Sequence, residues 1–153
     1  MATPHAMKRI TRELNEIQTQ ASPFYTAGPK SDSDLLNWVV TIPGPAGTPY
    51  EGGNFKLALT LPPQYPFHPP TLIFTTKIYH PNVLSDGVVC IPLLKTDTWK
   101  PSCKLTTVID IAVAILAEPD PDQAIEGEAA DMWKADRSRF TKTAKAWTER
   151  YAE

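Results

Sequence analysis

Phe55-Lys56-Leu57-Ala58-Leu59-Thr60-Leu61 alternates apolar and small or polar residues along its length. Successive side chains of a strand point to opposite faces, so Phe55, Leu57, Leu59 and Leu61 share one face and can cover a core. The stretch just before it, Leu35-Leu36-Asn37-Trp38-Val39-Val40-Thr41-Ile42, is rich in β-forming residues and is closed by Pro43-Gly44-Pro45. Thr71-Leu72-Ile73-Phe74-Thr75 reads as the next strand, and Tyr25 to Pro29 as a short first one. Successive strands joined by turn-length connections point to an antiparallel meander.

Helical periods lie on either side of these strands. Met7, Ile10, Leu14 and Ile17 recur at steps of three and four, which makes one apolar stripe, with Lys8, Arg9, Arg12 and Glu13 assigned to the wet side. Pro4 and Ser22-Pro23 bound that helix. Leu105 to Ala117 is apolar almost all round, with Asp110 as its main polar interruption, and reads as a central buried helix. Glu118-Pro119-Asp120-Pro121 ends it, since proline cannot continue the hydrogen-bond ladder. Ile125 to Trp133 and Asp136 to Tyr151 read as two further helices, anchored by Met132, Phe140 and Trp147. Strands in the middle and helices at both ends give an α+β sandwich.

The chain has 153 residues and reads as one domain over residues 1–153. A chain of this size hides about 70% of its unfolded surface. A net charge of −2 creates no field that would recruit nucleic acid or anionic lipid. No apolar run has the length of a membrane span, and Met-Ala-Thr-Pro-His-Ala lacks the basic-then-apolar pattern of a secretory leader. A monomer of the cytoplasm, and also of the nucleus, is the expectation. Two cysteines, Cys90 and Cys103, fit a reducing compartment, where thiols outnumber disulfides. His5, His68 and His80 show no zinc spacing, and Gly52-Gly53 is not followed by the residues of a phosphate loop, so neither metal nor nucleotide is expected. Of sixteen prolines, eleven lie between Pro43 and Pro101. Interleaved with large apolar residues, they read as rigid corners of an ordered segment that restrict the unfolded chain.

Chemistry is expected in Tyr79-His80-Pro81-Asn82-Val83-Leu84-Ser85-Asp86-Gly87-Val88-Val89-Cys90. Asp86-Gly87 is a turn signal, so Val88-Val89-Cys90 should run back past the corner at His80-Pro81-Asn82. That would bring the Asn82 amide near the Cys90 sulfur. A thiol beside a fixed amide donor can carry an acyl group, with the sulfur as nucleophile and the amide facing the oxyanion. By residue type alone, a cysteine after two valines more often just fills a core.

His80-Pro81-Asn82 followed by Cys90 resembles the active-site signature of the ubiquitin-conjugating enzymes. Pro49-Tyr50-Glu51-Gly52-Gly53, Tyr65-Pro66-Phe67-His68-Pro69-Pro70, Trp99-Lys100-Pro101 and Glu118-Pro119-Asp120-Pro121 fall in that family's order and spacing, so the resemblance runs from about Met7 to Tyr151. It implies one helix, a four-stranded antiparallel meander and three more helices. It also implies that Cys90 takes the C-terminal carboxyl of ubiquitin, or of a related modifier, as a thioester. The cofactor set is empty, because a separate activating enzyme consumes the ATP. By the same resemblance Asn82 stabilises the oxyanion or holds the Cys90 loop, Pro81 fixes the corner, and His80 is structural. A protease-like Cys–His pair is the competing idea for His80.

Lysine-modifying members of the family carry an acid two residues after the cysteine and another in the loop after the central helix. Here those positions are Pro92 and Gln123. Lysine has a reference pKa near 10.4 and needs help to lose its proton, whereas a thiol near 8.5 needs far less. Cys90-Ile91-Pro92-Leu93-Leu94 with Trp99-Lys100-Pro101 resembles the subgroup that passes ubiquitin only to the cysteines of HECT and RING-between-RING ligases. Asp120, Asp122 or Glu126 are the candidates to replace the missing acid, which would leave the enzyme lysine-active with a ligase of the RING type. Ligase docking, by resemblance, uses Phe67 with Lys100, Pro101 and Ser102. Lys8, Arg9 and Arg12 on the first helix would receive the activating enzyme and contribute to ligase docking. The residues alone leave open whether Phe67 faces out or packs inward like Tyr65. Conjugation of another modifier, an inactive scaffold and a cysteine hydrolase are the other readings.

Overall fold

The computed structural model describes residues 2–124 and 127–153. Its elements are α1 (Pro4–Thr19), β1 (Thr26–Ser31), β2 (Asp34–Pro43), β3 (Asn54–Thr60), β4 (Thr71–Phe74), α2 (Leu105–Ala117), α3 (Glu128–Ala135) and α4 (Arg137–Tyr151). Single 3-10 turns at Pro92–Leu94 and Pro121–Gln123 flank α2 in sequence. The strands form one sheet in chain order, every pair antiparallel. This is the expected α+β arrangement of one helix, a four-stranded meander and three helices.

The alternation of β3 is realised as read. Phe55, Leu57 and Leu59 are buried while Lys56 and Thr60 are exposed. β2 presents Trp38, Val40 and Ile42 to the same interior, and β4 presents Leu72 and Phe74. Leu105, Val108, Ile109, Ala112, Ile115 and Leu116 of α2 complete that core, and each large apolar side chain buried there contributes about 1.5–3 kcal/mol. Asp110 lies on the exposed side of α2. α1 begins at Pro4 because Thr3 caps it, its hydroxyl accepting from the Ala6 N–H at 3.1 Å. α4 begins in the same way, with Asp136 accepting from the Arg139 N–H at 3.1 Å.

Two readings of the helices need correction here, and a third, of Arg9, is taken up with the site. Glu13 is not on the wet side of α1: it is 3% exposed and points into the protein. It stands three residues after Ile10 and four before Ile17, on the buried stripe itself. The helix expected from Ile125 starts at Glu128, with Gly127 at φ 111° as its N-cap, and Ile125 and Glu126 lie outside the described residues. Among the described residues, no helix is long and apolar enough to cross a membrane.

Candidate functional site

The segment after β4 folds back as the Asp86-Gly87 pair suggested. Gly87 has φ 92°, and a Cβ there would stand 2.2 Å from the Phe74 carbonyl oxygen, so only glycine fits. The Phe74 N–H donates to the Gly87 carbonyl at 2.8 Å, which pins the turn to the end of β4. Asp86 closes the turn by accepting from the Val88 N–H at 3.1 Å. The returning strand bridges Val89 to Val83, and the Cys90 N–H donates to the Asn82 carbonyl at 2.9 Å. Cys90 and Asn82 are thereby held side by side along the backbone.

Asn82 is fully buried and its side chain is engaged at both ends. Nδ2 donates to the Asp120 carbonyl at 2.8 Å, and Oδ1 accepts from the Asp120 N–H at 2.8 Å. The reciprocal pair ties the Cys90 corner to the turn that follows α2. One of the two amide hydrogens is therefore committed to holding the loop, and the loop-holding role is the one this geometry supports directly.

Both ring nitrogens of His80 are tied to the backbone. Its Nδ1 accepts from the Asn82 N–H at 3.0 Å, which leaves Nε2 to donate to the Ile115 carbonyl at 2.8 Å. The ring is 1% exposed and stacks on Tyr50 with centroids 5.4 Å apart. With both nitrogens used, it has none left to serve Cys90 as a base, which argues against a protease-like pair. Burial lowers its pKa from 6.5 to about 4, against the opposing pull of the Ile115 carbonyl. The unfolded chain therefore binds a proton between pH 6.5 and 4 that the folded chain refuses, so stability should fall as pH drops through that window. The expected loss is about 3 kcal/mol. Urea unfolding across that range should be flatter for His80→Gln than for the parent; equal slopes would contradict the assignment.

Cys90 is half-buried and its thiol is free, as is that of Cys103. Burial raises the Cys90 pKa, and the Lys95 ammonium opposes that rise. Pro92, exposed, opens the 3-10 turn after Ile91. Pro81 is buried in the corner between His80 and Asn82. Gln123 is half-buried at the end of the second 3-10 turn. Of the acids nearby, Asp120 uses its carboxylate to accept from the Asp122 N–H at 3.0 Å, and Asp122 is exposed. Glu126 is outside the described residues. No cluster of metal-ligating side chains occurs among the described residues.

A second group of candidates lies in the loops before β4 and before α2 and on α1. Phe67 is 59% exposed and does not pack inward like Tyr65, which is fully buried. Its ring stacks on His5 of α1 at 5.3 Å, a neighbour that no local sequence signal announces. Lys100, Pro101 and Ser102 are exposed, as are Lys8 and Arg12. Arg9 departs from its expected place on a free helix face. Its Nη1 and Nη2 donate to the carbonyls of Pro101 at 2.7 Å and Cys103 at 2.8 Å, and its Nε to Glu13 at 3.0 Å.

Comparison with known proteins bears on these residues. A family profile described as ubiquitin-conjugating enzyme matches residues 9–148. The fold is similar to that of a candidate ubiquitin conjugating enzyme of Plasmodium yoelii, with a TM-score of 0.88 and 39% identity over 99% of this chain and 98% of that one. It is also similar to the E2 domain of a Toxoplasma gondii ubiquitin conjugating enzyme, with a TM-score of 0.85 and 38% identity over 96% of this chain and 99% of that one.

Proposed function

Since the chain belongs to the ubiquitin-conjugating enzyme family, we propose that it carries ubiquitin as a thioester on Cys90 and passes it preferentially to a ligase cysteine. In the loading step the Cys90 thiolate attacks the carbonyl carbon of the ubiquitin C-terminus, itself held as a thioester on the activating enzyme. A new C–S bond forms at Cys90, the old one breaks, and the activating enzyme's sulfur leaves as thiolate. In the second step a ligase thiolate repeats the exchange and Cys90 leaves. Neither step consumes ATP, because one thioester replaces another of similar energy. The cytoplasm and nucleus, both reducing, suit a protein that works through a free thiol.

The observation that carries the cysteine preference is the identity of the residues at two positions of the loops that flank α2. Pro92 and Gln123 stand where lysine-modifying relatives would carry an acid, and one oxygen of the nearest remaining acid in the sequence of that loop, Asp120, is bonded to the Asp122 N–H. An attacking lysine, mostly protonated at neutral pH, then finds little help, whereas a thiol is already partly ionised. The charged enzyme should therefore discharge to free cysteine far faster than to free lysine at equal concentration, read on non-reducing gels over time. Equal rates would sink the preference while leaving the thioester itself intact.

Ligase docking is assigned to Phe67 with Lys100, Pro101 and Ser102, flanked by Lys8 and Arg12, which also face the activating enzyme. An exposed aromatic among prolines is a ready anchor for a small interface. Phe67→Ala should leave ubiquitin loading nearly unchanged and cut ligase-driven transfer by about tenfold or more, the range of an interface hot spot. Normal transfer to a HECT domain by that variant would remove the assignment.

A further inference from the structure

We propose that Glu13, held by Arg9 and Tyr65, is a positioning residue that with Tyr65 fixes the ligase-docking surface, an inference that rests on the docking role of Phe67 and Lys100–Ser102 given above. The separate segments of that surface meet at a junction built on two buried side chains, Glu13 and Tyr65. The Glu13 Oε1 accepts from the N–H of Leu105, the first residue of α2, at 2.8 Å. The N-cap of α2, Lys104, makes no side-chain cap, so a carboxylate from α1 fills that role and also complements the positive end of the helix. The other oxygen, Oε2, accepts from the Tyr65 hydroxyl and from the Arg9 Nε. Arg9 in turn reaches the carbonyls of Pro101 and Cys103. Across the same gap, the Trp99 indole N–H donates to the Pro66 carbonyl at 2.7 Å.

Each docking segment is therefore anchored beside the residues that would touch the ligase. Phe67 follows Tyr65 and Pro66, both bonded into the junction. Lys100, Pro101 and Ser102 are bracketed by Trp99, by the Pro101 carbonyl itself and by Cys103. The Lys104–Glu16 ion pair at 3.2 Å adds an outer tie between α1 and this loop. The side chains that bear these bonds, Tyr65 and Glu13 above all, are too buried to meet a partner. What they determine is the spacing between Phe67 and the Lys100–Ser102 loop. A ligase that must contact both loses affinity with any error in that spacing, while the chemistry at Cys90, which shares none of these bonds, goes on unaltered.

The test uses the full chain with Glu13→Gln and Tyr65→Phe, each charged with ubiquitin by the activating enzyme. Discharge is followed to free cysteine and, separately, to a purified HECT domain over a range of concentrations. Both variants should discharge to free cysteine at the parent rate and keep the parent rate at saturating HECT domain. The half-saturating concentration should rise about fivefold for Tyr65→Phe and about tenfold for Glu13→Gln, as expected when bonds to a charged group are lost. A melting temperature lowered with half-saturation unchanged marks a purely structural junction and overturns the inference, as does a fall in both discharge reactions together. If Glu13→Gln does not fold, Tyr65→Phe decides by the same criteria. Phe67→Ala in the same assay separates the two levels. Parent-like behaviour there means that the docking surface is wrongly placed, whereas an impaired Phe67→Ala beside a parent-like Tyr65→Phe refutes the positioning role alone.

Discussion

Replacing Cys90 by alanine is expected to remove ubiquitin loading altogether. Loss of a covalent nucleophile typically costs about four orders of magnitude or more, because the bond that defines the intermediate has no alternative atom to form on. Cys103 does not offer one. Although its thiol is free, it sits in the loop before α2, where its carbonyl is held by Arg9, and has no counterpart of the Asn82 corner around it. Cys103→Ala should therefore load as the parent does. Cys90→Ser should load slowly and give an adduct that survives reductant, since an oxygen ester is not opened by thiols as a thioester is. A reductant-sensitive adduct persisting on Cys90→Ala would show that the wrong sulfur has been chosen.

Asn82→Ala is expected to have the second largest effect, and on stability as well as on rate. The substitution leaves the N–H and the carbonyl of Asp120 without their partner. Unmet polar groups cost about 1–3 kcal/mol each when buried, and Asp120 is half-buried, so water recovers part of the loss and the variant should lose about 2–4 kcal/mol in denaturant unfolding. Because the same pair locks the Cys90 corner against the turn after α2, loading and discharge should both slow, by about a hundredfold for a shift of order 1 Å at the sulfur. Asn82→Asp should not rescue it. A carboxylate can still accept from the Asp120 N–H but has no hydrogen to offer the Asp120 carbonyl, which it would instead repel. An Asn82→Ala variant that unfolds like the parent yet loses its rates would assign the amide to the oxyanion alone.

The fold was largely legible because its signals are local. β3 declares itself by strict alternation, α2 by its length and apolar character, and the start of α1 by Pro4. The corner at Asn82 and the return to Cys90 were legible for the same reason: Asp86-Gly87 is a turn signal written in adjacent residues. What lies beyond reach is pairing through backbone atoms across the chain. Asn82 could have closed on any exposed peptide group, and nothing in the side chain of Asp120 marks its peptide as the one chosen. Glu13 illustrates a different failure. Its position on the buried stripe was readable, but its charge argued for water, and only the three donors gathered around it by tertiary structure make its burial tolerable. The contrast of Tyr65 with Phe67 has the same origin. The tyrosine hydroxyl meets a buried acceptor in Glu13, a partner 52 residues away in sequence, so the inward turn of Tyr65 and the outward turn of Phe67 are not written in the loop itself.

All of these expectations depend on Cys90 being the atom that holds ubiquitin. The most direct measurement is the intact mass of the unmodified protein after incubation with activating enzyme, ATP and ubiquitin, followed by peptide mapping under non-reducing acid conditions. The expected result is a gain of one ubiquitin less one water, reversed by added thiol and located on the peptide containing Cys90. An adduct on Cys103 or on a lysine, or no adduct while a known conjugating enzyme loads in the same mixture, would contradict the account.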